Sequence, residues 1–400
     1  MLKMAKINDL IFKAYDIRGK YPEEISEDIV FKIVAALVKF LNPDKLIVAH
    51  DGRKSSESLK ESAMTAITAF GTDVIDIGLA SSPLFYFAVN RLGAGGGVMI
   101  TASHNPPDYN GLKIVREKAI AIGESNGLTQ IRNLTKDIKI ERVRKGKLSS
   151  KDLSVEYESY LLEKAGLIKE PEIEGVRFKF DPDSDRLSVF EKNKQIRADL
   201  LSGIVIKDFL EKQYFFNRIF SRPKFIFDLR FTKAISEYIT ENGGEAIRFR
   251  VGHPFIKEAM RENKALFGAE LSGHFYFKDV FYVEAPILMK LKLLKIMNET
   301  GKSLVELIKP FQKYFHSGEI NIEASDQKQA ASLIQRLKEN YKDGKIDELD
   351  GITVEYDDCW FNIRPSNTEP VLRLVVEAET QYIMEQKVEE ITEAIRRFSV

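Results

Sequence analysis

The sequence predicts an α/β protein of several domains that ends in an α+β domain, and three observations predict it. Up to Thr101 the chain alternates strand-like and helix-like runs. Three apolar runs, LIVAHDGR, FKFDPDSDR and FIFDLR, each close on an aspartate and an arginine, as repeated βα units would leave. After about Lys313 the pattern changes to strands around one long helix. With 400 residues, 44% of them hydrophobic, the chain can bury a sizeable core and is too long for one ordinary domain, so two to four are expected.

The elements follow in order. An apolar helical run covers Ile29 to Leu41, LIVAH reads as a strand, Ser56 to Phe70 as a helix, and VIDIGL as a strand after Gly71. A helix near Pro83 to Leu92, a glycine cluster from Gly93 to Gly97 and the strand VMIT lead into ASHNPP. Such alternation implies a doubly wound layer with loops gathered at strand ends. A charged stretch from about Lys136 to Lys151 reads as a boundary, followed by a helix from about Leu153 to Ala165. GVRFKF, DPDSDR and LSVF read as strand, loop and strand. Another βα stretch begins after Ala198, passes KFIFDLR and a helix from Thr232 to Ile239, and reaches VGHPFIKEAM and FGAELSGHFYFKD. The last part carries a helix from Gln327 to Tyr341, strands at ITVEY, CWFNIR and VLRLVVEAE, and a terminal helix.

Lysine plus arginine equals aspartate plus glutamate at 60 each, so no basic field for nucleic acid or anionic lipid is implied and a small-molecule partner is expected. The N-terminal stretch is broken by charges every few residues, which predicts neither a signal peptide nor a membrane span. The single cysteine, Cys359, cannot form an intramolecular disulfide, and a cytoplasmic location is expected.

Four segments carry chemistry. Ser103 lies in TASHNPPDYNGLK, between a strand and a turn whose backbone N–H groups can face an anion, although a tight turn alone would also use these residues. Asp181, Asp183 and Asp185 alternate in DPDSDR, a crowding of carboxylates that a hard divalent cation relieves. An EF-hand is a poor rival, because Arg186 stands where that loop needs glycine and Lys192 where it needs glutamate. Solvated aspartates in a turn are the plainer alternative. In FGAELSGH, Glu270 and Ser272 suit sugar hydroxyls and His274 adds a titratable group, while a loop between two strands explains the glycines equally well. RPSNTEPVLRL packs Arg364, Ser366, Asn367 and Thr368 into one loop, a dense donor set for a phosphate dianion. Of five histidines, His104, His253 and His274 fall in these loops.

Together and in this order, FKAYDIRG, MITASHNPPDYNGLK, DPDSDR, GAELSGH and RPSNTEP resemble the α-D-phosphohexomutase superfamily over nearly the whole chain. The resemblance implies a heart-shaped architecture of related α/β domains with mixed sheets plus a C-terminal α+β domain, one loop from each meeting in a central cleft. It implies domains at 1–149, 150–197, 198–312 and 313–400, the second truncated. By position, Ser103 would be the phosphorylated serine, and Asp181, Asp183 and Asp185 would bind one Mg2+ with its phosphate. Glu270 and Ser272 would hold sugar hydroxyls. Arg364, Ser366, Asn367 and Thr368 would grip the phosphate that is not reacting, with Arg373 as a neighbour. Lys113, Arg18 and His274 match positions that handle protons, and Tyr15, His104, Arg186, Arg230, Gly252 and His253 line the cleft. The implied reaction interconverts hexose 1-phosphate and hexose 6-phosphate through a hexose 1,6-bisphosphate, which also serves as activator.

Three departures stand out. Pro182 replaces a glycine usual in the metal loop, and Arg230 stands where many members carry lysine. Ser103 and Asp181 are only 78 positions apart, so most of the usual second domain is missing. What remains must lean on its neighbours, and a homodimer is expected to cover the exposed flank. Leu271 and TASHNP favour mannose and glucose phosphates over glucosamine phosphate. A shortened relative that binds sugar phosphate or a partner without turnover is the alternative, and a phosphatase with a D-x-D nucleophile is disfavoured because DPDSDR lies mid-chain.

Overall fold

The computed structural model describes residues 7–138, 145–216, 222–366 and 371–399. Part of the predicted boundary stretch, 139–144, and the predicted phosphate-loop residues Asn367 and Thr368 lie outside the described residues. The chain divides into two compact units, the first Met1–Ser188 with His274–Lys295, the second Val189–Gly273 with Ile296–Val400.

The first unit is built on a mixed seven-stranded sheet. Strand Lys45–His50 pairs in parallel with Asp73–Leu79 on one side and with Gly96–Ile100 on the other. Tyr109–Arg116 then runs antiparallel beside Gly96–Ile100 and carries Ile17–Lys20 on its far edge. Helix Glu27–Leu41 covers one face: its residues from Ile29 to Val38 are buried, apart from Phe31, against Leu46, Val48, Val98, Ile100, Leu112 and Ile114 of the sheet. Alternate positions of a strand point to opposite faces, so the other face is left for helix Ser82–Arg91. Gly97 is required there, because a Cβ would sit 2.6 Å from the Phe85 ring. The loop after Ile100 leaves from the carboxyl end of a central strand, where doubly wound sheets present their sites.

The truncated second domain contributes helix Ser154–Ala165 and strand Val176–Phe180 to this unit. That helix does lean on its neighbours. Phe87 meets Tyr157 and Tyr160 at ring distances of 5.0 and 5.2 Å, and Tyr160 stacks on Phe281 at 6.0 Å. The Tyr160 hydroxyl donates to the Asp279 carbonyl, Arg91 pairs with Glu156, and Lys295 Nζ donates to the carbonyls of Ala165 and Gly166 at the helix end. Each aromatic pair adds about 1 kcal/mol to what burial supplies.

In the second unit, parallel strands Lys224–Asp228, Glu245–Phe249 and Phe267–Ala269 are joined by helices Lys233–Glu241 and His253–Asn263. The C-terminal part is the predicted α+β layer, an antiparallel sheet against helices Gln327–Asn340 and Gln381–Ser399. In its central hairpin, Cys359–Pro365 with Val371–Ala378, Phe361, Ile363, Leu372, Leu374 and Val376 enter the core beside these helices. The alternate positions carry Trp360, Asn362, Arg364, Arg373 and Glu377 on the opposite face. Among the described residues no helix is long and apolar enough to cross a membrane.

Candidate active site

In the first unit the serine loop and the acidic loop meet. Ser103 is buried and takes a left-handed φ of 52°, which turns its side chain off the strand end. Its amide donates to Thr101 Oγ1 at 2.9 Å, its hydroxyl donates to Asp183 Oδ1 at 2.9 Å, and His104 Nδ1 lies 3.4 Å from the same hydroxyl. Arg53 holds the loop from beneath. Its guanidinium donates to the carbonyls of Ser103, Asn105, Pro106 and Tyr109 at 2.6 to 3.0 Å, and Asp51 orients it. Arg18 is clasped by Asp16 and donates to Asn105 Oδ1 at 2.7 Å. Sequence reading missed Arg53.

The acidic loop is a tight turn. The Ser184 amide donates to the Asp181 carbonyl at 3.0 Å, which puts Pro182 at the second turn position, where its fixed φ is suited. Proline in place of glycine is therefore compatible with the loop. Asp181 Oδ1 accepts from the amides of Asp185 and Arg186. Lys113 Nζ reaches Asp183 Oδ2 at 2.5 Å, Asp185 Oδ2 at 2.6 Å and Ser82 Oγ at 3.2 Å. Ser82, also absent from the sequence reading, donates its amide to the Asp183 carbonyl and its hydroxyl to Asp183 Oδ2 at 2.9 Å. Arg186 Nε donates to His274 Nε2 at 3.2 Å, and that nitrogen lies 3.4 Å from Asp185 Oδ1.

The electrostatics follow from this crowding. Burial, then the Asp185 and Asp183 charges, push the Asp181 carboxyl up to about 7. Burial would lower the Lys113 ammonium, but Asp183 and Asp185 more than reverse that and hold it well above its ordinary value. Burial works against the Asp185 carboxylate too, and Lys113 and His274 hold it well below the usual range. Burial, Arg186 and Arg18 depress His104. One oxygen of each aspartate lies within 4.8 Å of the others, and the buried Asp181 Oδ2 has no hydrogen-bond partner. A hard divalent cation fits this oxygen set and would relieve the repulsion that raises Asp181.

The second unit carries the other predicted positions. Arg230 is buried, and Asp228 grips it from its amide, Nε and NH2 at 2.6 to 3.0 Å. The same carboxylate accepts from the Leu271 amide at 2.8 Å and so sets the loop that bears Glu270 and Ser272. Glu270 is buried and its Oε1 accepts from the Gly252 amide at 3.0 Å, next to His253; Ser272 is exposed. Arg364 and Arg373 are cross-strand partners. Glu319, a residue in none of the sequence motifs, accepts from Arg230 at 2.6 Å, Arg373 at 2.9 Å and Arg364 at 3.1 Å. Ser366 is buried, its amide bonded to the Val371 carbonyl. The structure thus gathers Ser103, His104, Lys113, Arg18, His274, Arg186 and the three aspartates in one unit. Arg230, Gly252, His253, Glu270, Ser272, Arg364, Ser366 and Arg373 fall in the other.

Known proteins match the chain domain by domain. Residues 9–142 match the phosphoglucomutase/phosphomannomutase α/β/α domain I, 198–314 match domain III, and 319–394 match the C-terminal domain of the same family. The phosphomannomutase of Methanocaldococcus jannaschii is 36% identical, with 97% of this chain and 98% of the relative covered. That pairing spans 458 positions against 400 residues here, so the relative carries segments this chain lacks. A phosphoglucomutase/phosphomannomutase family protein of Burkholderia thailandensis shares the fold with a TM-score of 0.84 at 24% identity, over 98% of both chains. The N-acetylphosphoglucosamine mutase of Aspergillus fumigatus, in complex with GlcNAc-6P and magnesium, superimposes with a TM-score of 0.55 at 14% identity, over 91% of this chain and 80% of that one. Matched across three of its domains and by a relative along almost its whole length, the chain belongs to the phosphoglucomutase/phosphomannomutase family of phosphohexomutases and is an intramolecular phosphotransferase with a shortened second domain.

Proposed function

We propose that this enzyme interconverts hexose 1-phosphate and hexose 6-phosphate, with mannose or glucose as the sugar, through a phosphorylated Ser103. The contact of Ser103 Oγ with Asp183, inside the aspartate trio and beside Lys113, carries the reading. In the first half-reaction the bond between phosphorus and Ser103 Oγ breaks, a sugar hydroxyl oxygen takes the phosphoryl group to give a hexose 1,6-bisphosphate, and the proton that this hydroxyl loses is balanced by the one that Ser103 Oγ gains. After the sugar turns round, Ser103 Oγ forms a new bond to the other phosphorus and the isomeric monophosphate leaves. Lys113, an ammonium in this setting, suits donation to a leaving oxygen. His104, kept neutral, suits acceptance of the serine proton in the return step. Asp181, Asp183 and Asp185 would hold Mg2+, as supported by the magnesium complex of the fungal relative. When bound, that ion supplies positive charge against the phosphoryl oxygens.

Arg364, Ser366 and Arg373, with Asn367 and Thr368, would grip the phosphate that is not reacting, and Glu270 and Ser272 the sugar hydroxyls. Arg364 supports this: it is 3% exposed, and its Nε has no hydrogen-bond partner. Burial and the neighbouring Arg230 charge lower its pKa, the mark of a cation short of anions.

The test is conversion of mannose 1-phosphate, glucose 1-phosphate and glucosamine 1-phosphate with Mg2+ and a trace of hexose 1,6-bisphosphate, comparing wild type with Ser103→Ala. Turnover of the first two that disappears in the variant is expected. Turnover of glucosamine phosphate alone would transfer the reading to the amino sugar, and unchanged activity in Ser103→Ala would remove the phosphoserine. We also propose a homodimer, since residues 150–197 leave Val155 and Ile168 exposed, the latter completely. A single-subunit mass by light scattering at all protein concentrations would refute it.

A further inference from the structure

Glu319 presents one carboxylate to three guanidinium groups. Its Oε2 accepts from Arg230 NH1 and Arg364 NH2, and its Oε1 from Arg373 NH1. Arg230 is already engaged along its other edge by Asp228, so Glu319 takes what remains of its donor fork. The Nε of Arg364 is buried and without a hydrogen-bond partner. The carboxylate therefore occupies donors that a phosphate would also use, since both anions offer paired oxygens to a guanidinium fork.

Charge accounting separates these two anions. Three guanidiniums against Asp228 and Glu319 leave one net positive charge among these groups. A phosphate dianion that joined them with Glu319 still in place would leave a surplus negative charge in a largely buried setting, which is costly. Glu319 has a way out: its side chain is 21% exposed, and it follows Gly318, which adopts a φ of 73° and ends the link into the C-terminal sheet.

We propose that Glu319 is an internal competitor of the substrate's phosphate, a carboxylate that keeps Arg230, Arg364 and Arg373 gathered and withdraws from Arg364 and Arg373 as the dianion arrives. This rests on the reading of Arg364 and Arg373 as phosphate ligands. Glu319 is a positioning residue in this scheme: it sets the strength of the grip, and so keeps the monophosphate from being held too tightly for release.

Calorimetric titration of the full chain with inorganic phosphate tests it, using wild type, Glu319→Gln, Glu319→Asp and Arg364→Gln. Glu319→Gln removes the competing charge and is expected to bind phosphate about ten-fold more tightly, with KM for hexose phosphate and kcat both falling. Phosphate should also raise its melting temperature more than that of wild type. A purely structural ion-pair node predicts the reverse, weaker phosphate binding because the arginines lose their order, and that result overturns the proposal, as does unchanged affinity. Glu319→Asp, whose shorter arm weakens the same contacts while keeping the charge, should bind phosphate more tightly by a smaller factor, and equal or weaker binding by it overturns the proposal if the glutamine variant fails to fold. Arg364→Gln should weaken phosphate binding. If it does so while Glu319→Gln gives no tightening, the competitor role alone fails; if Arg364→Gln changes nothing, the phosphate-ligand reading beneath it fails as well.

Discussion

Lys113 Nζ lies 2.5 Å from Asp183 Oδ2, with Asp185 Oδ2 a further contact at 2.6 Å, so a buried ammonium stands between two of the three carboxylates of the acidic loop. Removing one member of a buried ion-pair set leaves the other charges uncompensated, at a cost of about 3–5 kcal/mol. Lys113→Met should therefore unfold at markedly lower urea in chelator, and Mg2+ should restore more stability to the variant than to wild type. Equal recovery by both proteins would show that ion and ammonium do not share the same carboxylates.

The Asp181 carboxyl, raised to about 7, gives a pH dependence with a definite sign. Its folded value lies above its unfolded value, so the folded state holds the proton more tightly and gains stability at low pH. This contribution is complete below the unfolded value and disappears as pH rises through about 7. In chelator, wild type should lose stability between pH 5 and pH 7.5 relative to Asp181→Asn, measured by urea unfolding at both values. Parallel pH profiles for the two proteins would contradict this.

Arg53 should matter to activity more than to stability. It fixes four carbonyls of the serine loop, and a shift of a reacting atom by about 1 Å can cost 100-fold in rate. Arg53→Lys keeps the charge and loses the fork, so kcat is expected to fall by about two orders of magnitude with KM little changed. A kcat within a factor of three of wild type would show that the loop holds its shape unaided.

Phe87→Ala removes the ring on which Tyr157 and Tyr160 pack, and should cost about 3–5 kcal/mol in urea unfolding. Limited proteolysis should then cut first within or beside helix Ser154–Ala165. First cleavage elsewhere would mean that this helix is held by other contacts.

What the sequence revealed depended on distance along the chain. Ser103, the aspartate trio and Arg364 belong to short strings whose residues already crowd one turn, so they stand out as candidates locally. The shortening of the second domain was equally plain in the spacing between Ser103 and Asp181. Arg53, Ser82 and Glu319 were not legible, because each acts on residues roughly 45 to 100 positions away. Arg230 was expected to line the cleft, but its commitment to Asp228 and Glu319 depends on side-chain geometry that no spacing encodes.

Helix Ser82–Arg91 ties two of these features together. Its first residue binds Asp183 through both amide and hydroxyl, and less than two turns later Phe87 carries the helix that remains of the second domain. Position of the acidic loop and attachment of the remnant are thus referred to one helix that also packs on the sheet leading into Ser103. A larger second domain could tilt as a body and carry its aspartates with it; here Ser103, Asp183 and the first residue of helix Ser82–Arg91 are joined by hydrogen bonds within one compact unit.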